Sequence, residues 1–193
     1  MKRVLLMVSG LILLLFAVWQ GGLFGGELLK TGQFTSYTDY DDGWWVQQSD
    51  IGVSFSYQTA DPTGAGEVVT IDNVTGLMWA SDGNAGGCNF GDLTNWSSAI
   101  DWAQNLTFAG YSDWRLPNIR ELLSLVVEDA RYYSEVPAIN HIFFPGTQRS
   151  LYLSSTTDPY ETDYTWLCDF AGCALWKGSK VGSAWVRAVR GGE

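Results

Sequence analysis

Basic residues are scarce in this sequence. Only 11 of its 193 residues are Lys or Arg, against 21 Asp and Glu, which gives a formal net charge of −10 at pH 7. Nucleic acids and strongly anionic glycans are bound through clusters of Lys and Arg, and this chain has no surplus of either. The charge balance therefore disfavours both kinds of partner and favours neutral or cationic ligands.

Residues that usually carry catalysis are also rare. His141 is the only histidine, so the chain cannot build a metal site from several histidines, and one His near a loop is usually packed or hydrogen-bonded. Ser154 and Ser155 lack the G-x-S-x-G context of a hydrolase nucleophile. We therefore expect a protein that is not an enzyme and holds no resident cofactor, while the sequence leaves the identity of any bound metal open.

The cysteine count is low but permits one disulfide. The three cysteines are Cys88, Cys168 and Cys173. If Ala171-Gly172 forms a two-residue turn, Cys173 lies opposite Phe170 and Cys168 is diagonal to it, whereas a four-residue loop places the two cysteines opposite each other. We expect a Cys168–Cys173 bridge, with capture of either partner by Cys88 as the alternative.

One long apolar run is present, at the N-terminus. Lys2 and Arg3 precede an apolar stretch that begins at Val4 and continues into Gly-rich sequence up to Gly26. This pattern is typical of export, either as a cleaved signal peptide or as a retained membrane anchor. Residues 1–26 are thus assigned to targeting, and the rest is expected in the periplasm, on the outer surface or outside the cell. The membrane is a partner only through this segment.

The rest of the chain predicts an α+β fold. Residues 27–67 are predicted to form an irregular β-rich extension, and residues 68–193 are predicted to form the main domain. Val68–Ile71 and Leu77–Trp79 flank the turn-forming DNVTG and predict a β-hairpin. Two central helices follow, and short strand patterns between Leu151 and Val189 predict an antiparallel sheet closed by the C-terminal strands.

The two helices meet at a distinctive junction. Gly110 is expected to cap the first helix, and Asn118 with Glu121 has the spacing of a capping box for the second. Between them lie Asp113, Trp114 and Arg115. We interpret this trio as a partly buried strut that orients the connection, with direct ligand contact as the alternative.

Several segments together resemble one known family. These are TGLMWA at 75–80, the helix that begins at Trp96, AGYSDWRLPNIRELLSLV at 109–126, LSSTT at 153–157 and VRAVRGG at 186–192. Over residues 68–192 the chain resembles the Lcl C-terminal domain family, named after a collagen-like bacterial adhesin. The resemblance implies a fold like that of C-type lectins and formylglycine-generating enzymes. This chain has no collagen-like region and is acidic, so the sulfated ligand of the namesake is not carried over.

The resemblance directs attention to the connection 156–166, because lectin-like folds commonly meet ligands on long loops beside the C-terminal strands. Tyr160, Tyr164 and Trp166 can stack on sugar faces. Asp158, Glu161 and Asp163 can accept hydrogen bonds from hydroxyl groups or coordinate calcium. A solvated acidic loop with inward-packed aromatics is the alternative.

Three functions are compatible with these observations. The first is an exported adhesion or binding module, with a glycan or a surface protein as its partner. The second is a structural or assembly subunit of an envelope complex or fibre, in which case the chain forms oligomers. The third is an oxidase like the formylglycine-generating enzymes, which is implied by the C-x4-C spacing of Cys168 and Cys173.

Overall fold

The computed structural model describes residues 55–83, 94–129 and 136–191, together with the single positions 33, 36, 38 and 47. The N-terminal targeting segment, most of the 27–67 extension and Cys88 lie outside the described residues. Within the described part, no helix has the length and apolarity needed to cross a bilayer. The expectations about export and anchoring therefore stay predictions.

The first sheet has four antiparallel strands in the order β1-β2-β3-β7. They are β1 (Tyr57–Ala60), β2 (Val69–Asp72), β3 (Met78–Ala80) and β7 (Val189–Arg190). The predicted β2–β3 hairpin is confirmed. Its turn forms because one Asp72 carboxylate oxygen accepts the Val74 amide and the other accepts the Thr75 hydroxyl. Gly76 then closes the turn at a φ of 72°, a conformation that favours glycine.

The second sheet has three antiparallel strands in the order β4-β5-β6. They are β4 (Leu151–Thr157), β5 (Tyr164–Asp169) and β6 (Ala174–Ser179). Strand β5 pairs with both neighbours, and among the described residues β6 has a strand partner on one side only. This sheet carries the loop that the sequence singled out.

The α+β expectation holds in its coarse form and fails in its detail. The described chain is mostly β, with two antiparallel sheets and two helices, α1 (Trp96–Asn105) and α2 (Ile119–Leu123). The expectation of one closed sheet is wrong, because β7 joins β3 in the first sheet while β4, β5 and β6 form a separate one.

The segment before β7 joins the two sheets. The Leu153 amide donates to the Trp185 carbonyl at 2.8 Å, and the Trp185 amide donates to the Leu151 carbonyl at 3.0 Å. Four residues further on, Val189 exchanges backbone hydrogen bonds with Arg115 at 2.9 and 3.0 Å. The C-terminal segment is thus fixed by backbone hydrogen bonds on both sides.

Gly110 does not cap the first helix. Helix α1 ends at Asn105, with Leu106 in the capping position. Phe108 and Tyr111 exchange two backbone hydrogen bonds of 3.0 Å, and Ala109 and Gly110 between them have φ values of 53° and 80°. The glycine therefore serves a tight turn after the helix, which demands the same positive φ as a helix cap.

The predicted capping box of α2 is present. The Asn118 side chain accepts the Glu121 amide at 3.0 Å, and Glu121 Oε2 accepts the Asn118 amide at 2.7 Å. The first amides of a helix have no hydrogen-bond acceptor within the helix. Because Asn118 and Glu121 lie within one helical turn, the side chain of each accepts the amide of the other.

Asp113, Trp114 and Arg115, which precede α2, each contact another segment of the chain. Arg115 donates two hydrogen bonds to Glu121, at 2.7 and 2.8 Å, and one to the Gly191 carbonyl at 3.0 Å. Asp113 accepts two from Arg190, at 2.7 and 2.9 Å. Trp114 is buried, and its ring N–H donates to the Phe108 carbonyl. Asp113 and Arg115 therefore do not pair with each other, and each ties the junction to another segment.

The strut interpretation predicts the effect of Arg115→Ala. Removal of the guanidinium leaves Glu121 without its bidentate partner, and we expect a loss of about 1 kcal/mol, because the Arg115 side chain is 40% exposed and water screens the pair. Urea unfolding measures this loss of stability. The control is Arg120→Ala, which removes an exposed arginine from α2, the helix that carries Glu121. A variant that keeps its unfolding midpoint but loses ligand binding would contradict the strut interpretation.

Candidate functional site

The candidate site begins with the loop between β4 and β5. The Asp158 amide donates to the Tyr164 carbonyl at 3.0 Å, and the Tyr164 amide donates to the Glu161 carbonyl at 2.8 Å. Asp158 Oδ1 accepts the Tyr160 amide at 2.9 Å. The loop is therefore held in shape by its own backbone and by one buried carboxylate.

Lys177 on β6 contacts two acidic side chains of this loop. Its Nζ lies 2.6 Å from Glu161 Oε1 and 3.4 Å from Asp158 Oδ2, and 5.2 Å from the centre of the Tyr164 ring. The hydrogen bond to Glu161, followed by the one to Asp158, raises the pKa of Lys177. We call Asp158, Glu161, Tyr164 and Lys177 the lysine clamp.

Within the lysine clamp, Lys177 binds two of the three carboxylates that the sequence analysis proposed as calcium ligands. Asp163, the third, is exposed, and its backbone carbonyl accepts the Lys180 amide at 2.9 Å. Across the described ranges, no group of three or more His, Cys, Asp or Glu side chains is placed to hold a metal ion. In this arrangement the ammonium group of Lys177 partly offsets the negative charge of the loop.

The predicted aromatic residues differ in exposure. Tyr160 is 95% exposed at the tip of the loop. Tyr164 and Trp166 are half-buried on β5, where Trp166 pairs directly with Lys177 and Tyr164 with Ser179. Since Tyr164 and Trp166 are two residues apart in a strand, they share one face of the sheet. Of the three rings, only Tyr160 is freely presented to a ligand.

Sequence reasoning missed a second exposed part of the site, strand β6 and the turn after it. Trp176 is 54% exposed, Leu175 48% and Val181 88%. Trp176 pairs with Leu167 and Leu175 with Cys168, so these two side chains lie on opposite faces of the edge strand. The available signal was Lys177-Gly178 inside a strand pattern, since Lys is typical of edge strands and Gly weakens the interior of a strand. We call the exposed side chains of this edge, Tyr160, Leu175, Trp176 and Val181, the sheet-edge surface, to which Leu175 and Trp176 contribute from opposite faces of β6.

Side-chain contacts hold the turn after β6, which is part of this edge. Lys180, in the turn after β6, donates to Thr157 Oγ1 at 2.8 Å, and its Nζ lies 4.0 Å from the centre of the Trp96 ring. The Trp96 ring N–H donates to the Ser154 carbonyl at 2.9 Å. The end of β4, the start of α1 and the turn after β6 are thereby tied together, which fixes the turn that carries Val181.

The expected Cys168–Cys173 bridge is not formed in the structure. Asp169 pairs with Ala174 and Cys168 with Leu175, so Cys173 is two residues out of register with Cys168. This is the diagonal arrangement of a two-residue turn, the less favourable of the two geometries weighed from the sequence. Cys168 is buried, and burial raises the pKa of its thiol to about 12. Pairing with Cys88 involves a residue outside the described ranges and stays a prediction.

Asp158 makes the loop sensitive to acid. The Tyr160 amide, and then Lys177, hold the pKa of Asp158 below its ordinary value. Its contribution to stability is therefore complete above the ordinary Asp pKa of about 3.9 and is lost as the pH falls through the lowered pKa. We expect Asp158→Asn to be less stable than the wild type at neutral pH, with a gap that narrows below a pH of about 3.9. Thermal melts across this range measure the difference in melting temperature between the two proteins. A difference that does not change with pH would show that the charge of Asp158 does not contribute to stability.

Comparison with known protein families identifies a match over most of the described chain. A family model described as the Lcl C-terminal domain matches residues 68–190, which include both helices, every strand except β1, and the whole sheet-edge surface. No curated protein matches the chain.

Proposed function

The chain belongs to the Lcl C-terminal domain family, and from this premise we propose that it is an exported, adhesin-related binding module that takes neutral glycans on its sheet-edge surface without calcium. The proposal includes a C-type-lectin-like relationship for the fold. It also includes a location in the periplasm, on the outer surface or outside the cell.

The observation that carries the proposal is the exposure of two large aromatic side chains on elements that the lysine clamp joins. Tyr160 is 95% exposed on the loop, and Trp176 is 54% exposed on β6, where Lys177 binds that loop. Aromatic rings stack on the apolar faces of sugars, and ordered rings lose little conformational entropy on binding. Two exposed rings on connected elements therefore favour a binding surface over a packing surface.

The charges near this surface favour a neutral ligand. Lys177 is neutralised by Glu161 and Asp158, and Asp163 adds an exposed negative charge. Together with the net charge of −10, this weakens the attraction for sulfated or uronic acid chains. Neutral sugars need only stacking surfaces and hydrogen-bond partners, which the loop supplies.

The lysine clamp is the reason to expect calcium-independent binding. Calcium takes six to eight oxygen ligands, usually with carboxylates among them. Asp158 and Glu161 already bind an ammonium group, so a calcium ion would first have to displace Lys177. The proposed site therefore works in the presence of a chelator.

We propose no catalytic activity. The oxidase alternative needs two reactive thiolates that bind copper. Cys168 is fully buried, and burial raises the pKa of its thiol to about 12, so this thiol is neither exposed to solvent nor in the reactive thiolate form near neutral pH. Tight Cu(I) binding by the purified protein would revive this alternative.

A glycan array tests the proposal. The wild-type protein is screened with calcium and with EDTA, and we expect neutral glycans to be retained equally in both. The double variant Tyr160→Ala/Trp176→Ala should lose these hits, whereas Tyr111→Ala should keep them, because that ring packs on Arg190 in another part of the surface. Binding that requires calcium, or that survives the double variant, would overturn the proposed site.

An assembly subunit is the second candidate. Strand β6 exposes Leu175 and Trp176 and, within the described chain, pairs on one side only. Open strand edges with apolar side chains recruit strands from other proteins. An array without hits, together with capture of an envelope protein that Trp176→Ala abolishes, would favour this second function.

A further inference from the structure

A second candidate site, which is concave, lies on the first sheet. It is a pocket of about 260 Å³ beside β1 and the loop 142–145. Its apolar walls are Val68, Ile142, Phe143 and Pro145, and its polar side includes Thr59 and Asp82. None of these residues belongs to the sheet-edge surface or to the lysine clamp.

A buried threonine joins the two walls of this pocket. Thr70 is fully buried, and its hydroxyl donates to the Phe143 carbonyl at 2.6 Å. The same hydroxyl oxygen lies 2.7 Å from Ser81 Oγ. One side chain thus fixes the spacing between the loop wall and the wall that follows β3.

A buried arginine joins the same two walls a second time. Arg187 is 2% exposed, and its Nη1 donates to the Ala80 and Ser81 carbonyls at 2.8 and 2.7 Å. Its Nη2 donates to Thr147 Oγ1 at 2.6 Å, two residues beyond Pro145. Two buried polar side chains therefore hold the pocket in a fixed shape, which is the usual condition of a ligand site.

The mouth of the pocket is apolar and open to water. Ile142 is 74% exposed and Val68 37%, so a ligand that covers them removes apolar surface from water. The volume is below the roughly 300–1,000 Å³ of sites for drug-sized molecules. A single small ring matches this volume better than an extended chain does.

The charges of the pocket specify the ligand further. Asp82 is the charged residue in the lining, and its carboxylate repels anions and is able to accept hydrogen bonds from hydroxyl groups. Arg187 donates to the carbonyl of Ser81, the residue before Asp82, and to Thr147, the residue after Gly146, against which the Asp82 carboxylate lies. A guanidinium therefore lies on the same side of the pocket as this carboxylate and partly balances its charge. A cation would therefore gain little, and a neutral molecule with hydroxyl donors is favoured.

We propose that this pocket is a second carbohydrate site, which binds one neutral hexose ring with its C–H face on the Ile142–Phe143 wall and a hydroxyl group donated to Asp82. The inference rests on the proposed function, since it extends carbohydrate recognition from the sheet-edge surface to the first sheet. Two sites on one module allow it to hold a branched or dense glycan at two points.

Methyl NMR on the full-length protein resolves the two sites. The methyl signals of Val68 and Ile142 report on the pocket, and those of Leu175 and Val181 report on the sheet-edge surface. The probes are the methyl glycosides of glucose, galactose and mannose, with glucuronate as the anionic comparison. We expect at least one neutral glycoside to shift the Val68 and Ile142 signals, and glucuronate to leave them unchanged.

Two pocket variants and one matched control complete the test. Thr59→Trp places a large ring in the pocket from an exposed position on β1, and Gln58→Trp places the same ring on the other face of that strand. We expect binding at the pocket to weaken at least about tenfold in Thr59→Trp and to persist in Gln58→Trp. Ile142→Ala, which removes an exposed side chain without touching the core, should weaken it several-fold.

The outcomes separate this inference from the proposed function. Shifts confined to Leu175 and Val181 would overturn the pocket inference and leave the sheet-edge proposal standing. Shifts at Val68 and Ile142 that survive Thr59→Trp and Ile142→Ala would also overturn the inference. If no glycoside shifts any of the four signals and the array gives no hits, both proposals fail.

Discussion

Arg187→Ala is expected to lower the free energy of unfolding by about 3–5 kcal/mol. The guanidinium donates to the Ala80 and Ser81 carbonyls and to the Thr147 hydroxyl, and it lies 5.2 Å from the centre of the Phe144 ring. Its removal leaves three acceptors without a donor in a space that Arg187 fills at 2% exposure. Unsatisfied buried groups and a cavity both destabilise the fold.

Urea unfolding followed by tryptophan fluorescence measures this loss. The matched control is Arg149→Ala, which removes an exposed arginine that donates to the Val136 carbonyl, and we expect it to cost less than about 1 kcal/mol. Arg187→Lys should fall in between, since an ammonium group lacks the fork that reaches several acceptors. Equal losses for Arg187→Ala and Arg149→Ala would show that Arg187 does not hold the two walls together.

Gly146→Ala is expected to cost about 2–4 kcal/mol. Gly146 has a φ of +69°, and a Cβ at this position would collide with the Asp82 carboxylate. The substitution therefore combines backbone strain with a displaced side chain in the wall of the pocket. Thermal and urea unfolding report the stability, and the Val68 and Ile142 methyl signals report the change in the pocket.

Gly76→Ala separates the two causes. Gly76 has a φ of +72°, almost the same as Gly146, but a Cβ there meets no atom within 4 Å. It should show the backbone strain alone, about 1 kcal/mol. If Gly146→Ala and Gly76→Ala lose the same stability, the close contact with Asp82 is not important for the fold.

The sequence predicted local structure well because the interacting groups lie close together in the chain. Asn118 and Glu121 are three residues apart, and the Asp72–Gly76 turn is formed by neighbours. Gly110 shows the limit of such signals, since positive φ is required both at helix ends and in tight turns. Only the structure shows which of the two the glycine serves.

Long-range partners were beyond sequence reasoning. Arg190 bonds to Asp113 across 77 positions, and Arg187 bonds to Ala80 across 107. The site shows the same limit. Asp158 and Glu161 were recognised as a pair of carboxylates, but their link to Lys177 depends on the register of β6 against β5. The same register decides whether Cys168 faces Cys173.

The most direct test of the central claim is a binding titration on the neutral glycan that the array retains most strongly, carried out in EDTA. We compare three proteins, the wild type, Tyr160→Ala/Trp176→Ala and Tyr111→Ala. Their unfolding midpoints are measured first, to establish that all three are equally folded. We expect the double variant to bind at least about tenfold more weakly, because two exposed rings are lost, and Tyr111→Ala to bind like the wild type. Equal affinities for all three proteins, or a wild type that binds only when calcium is restored, would contradict the account.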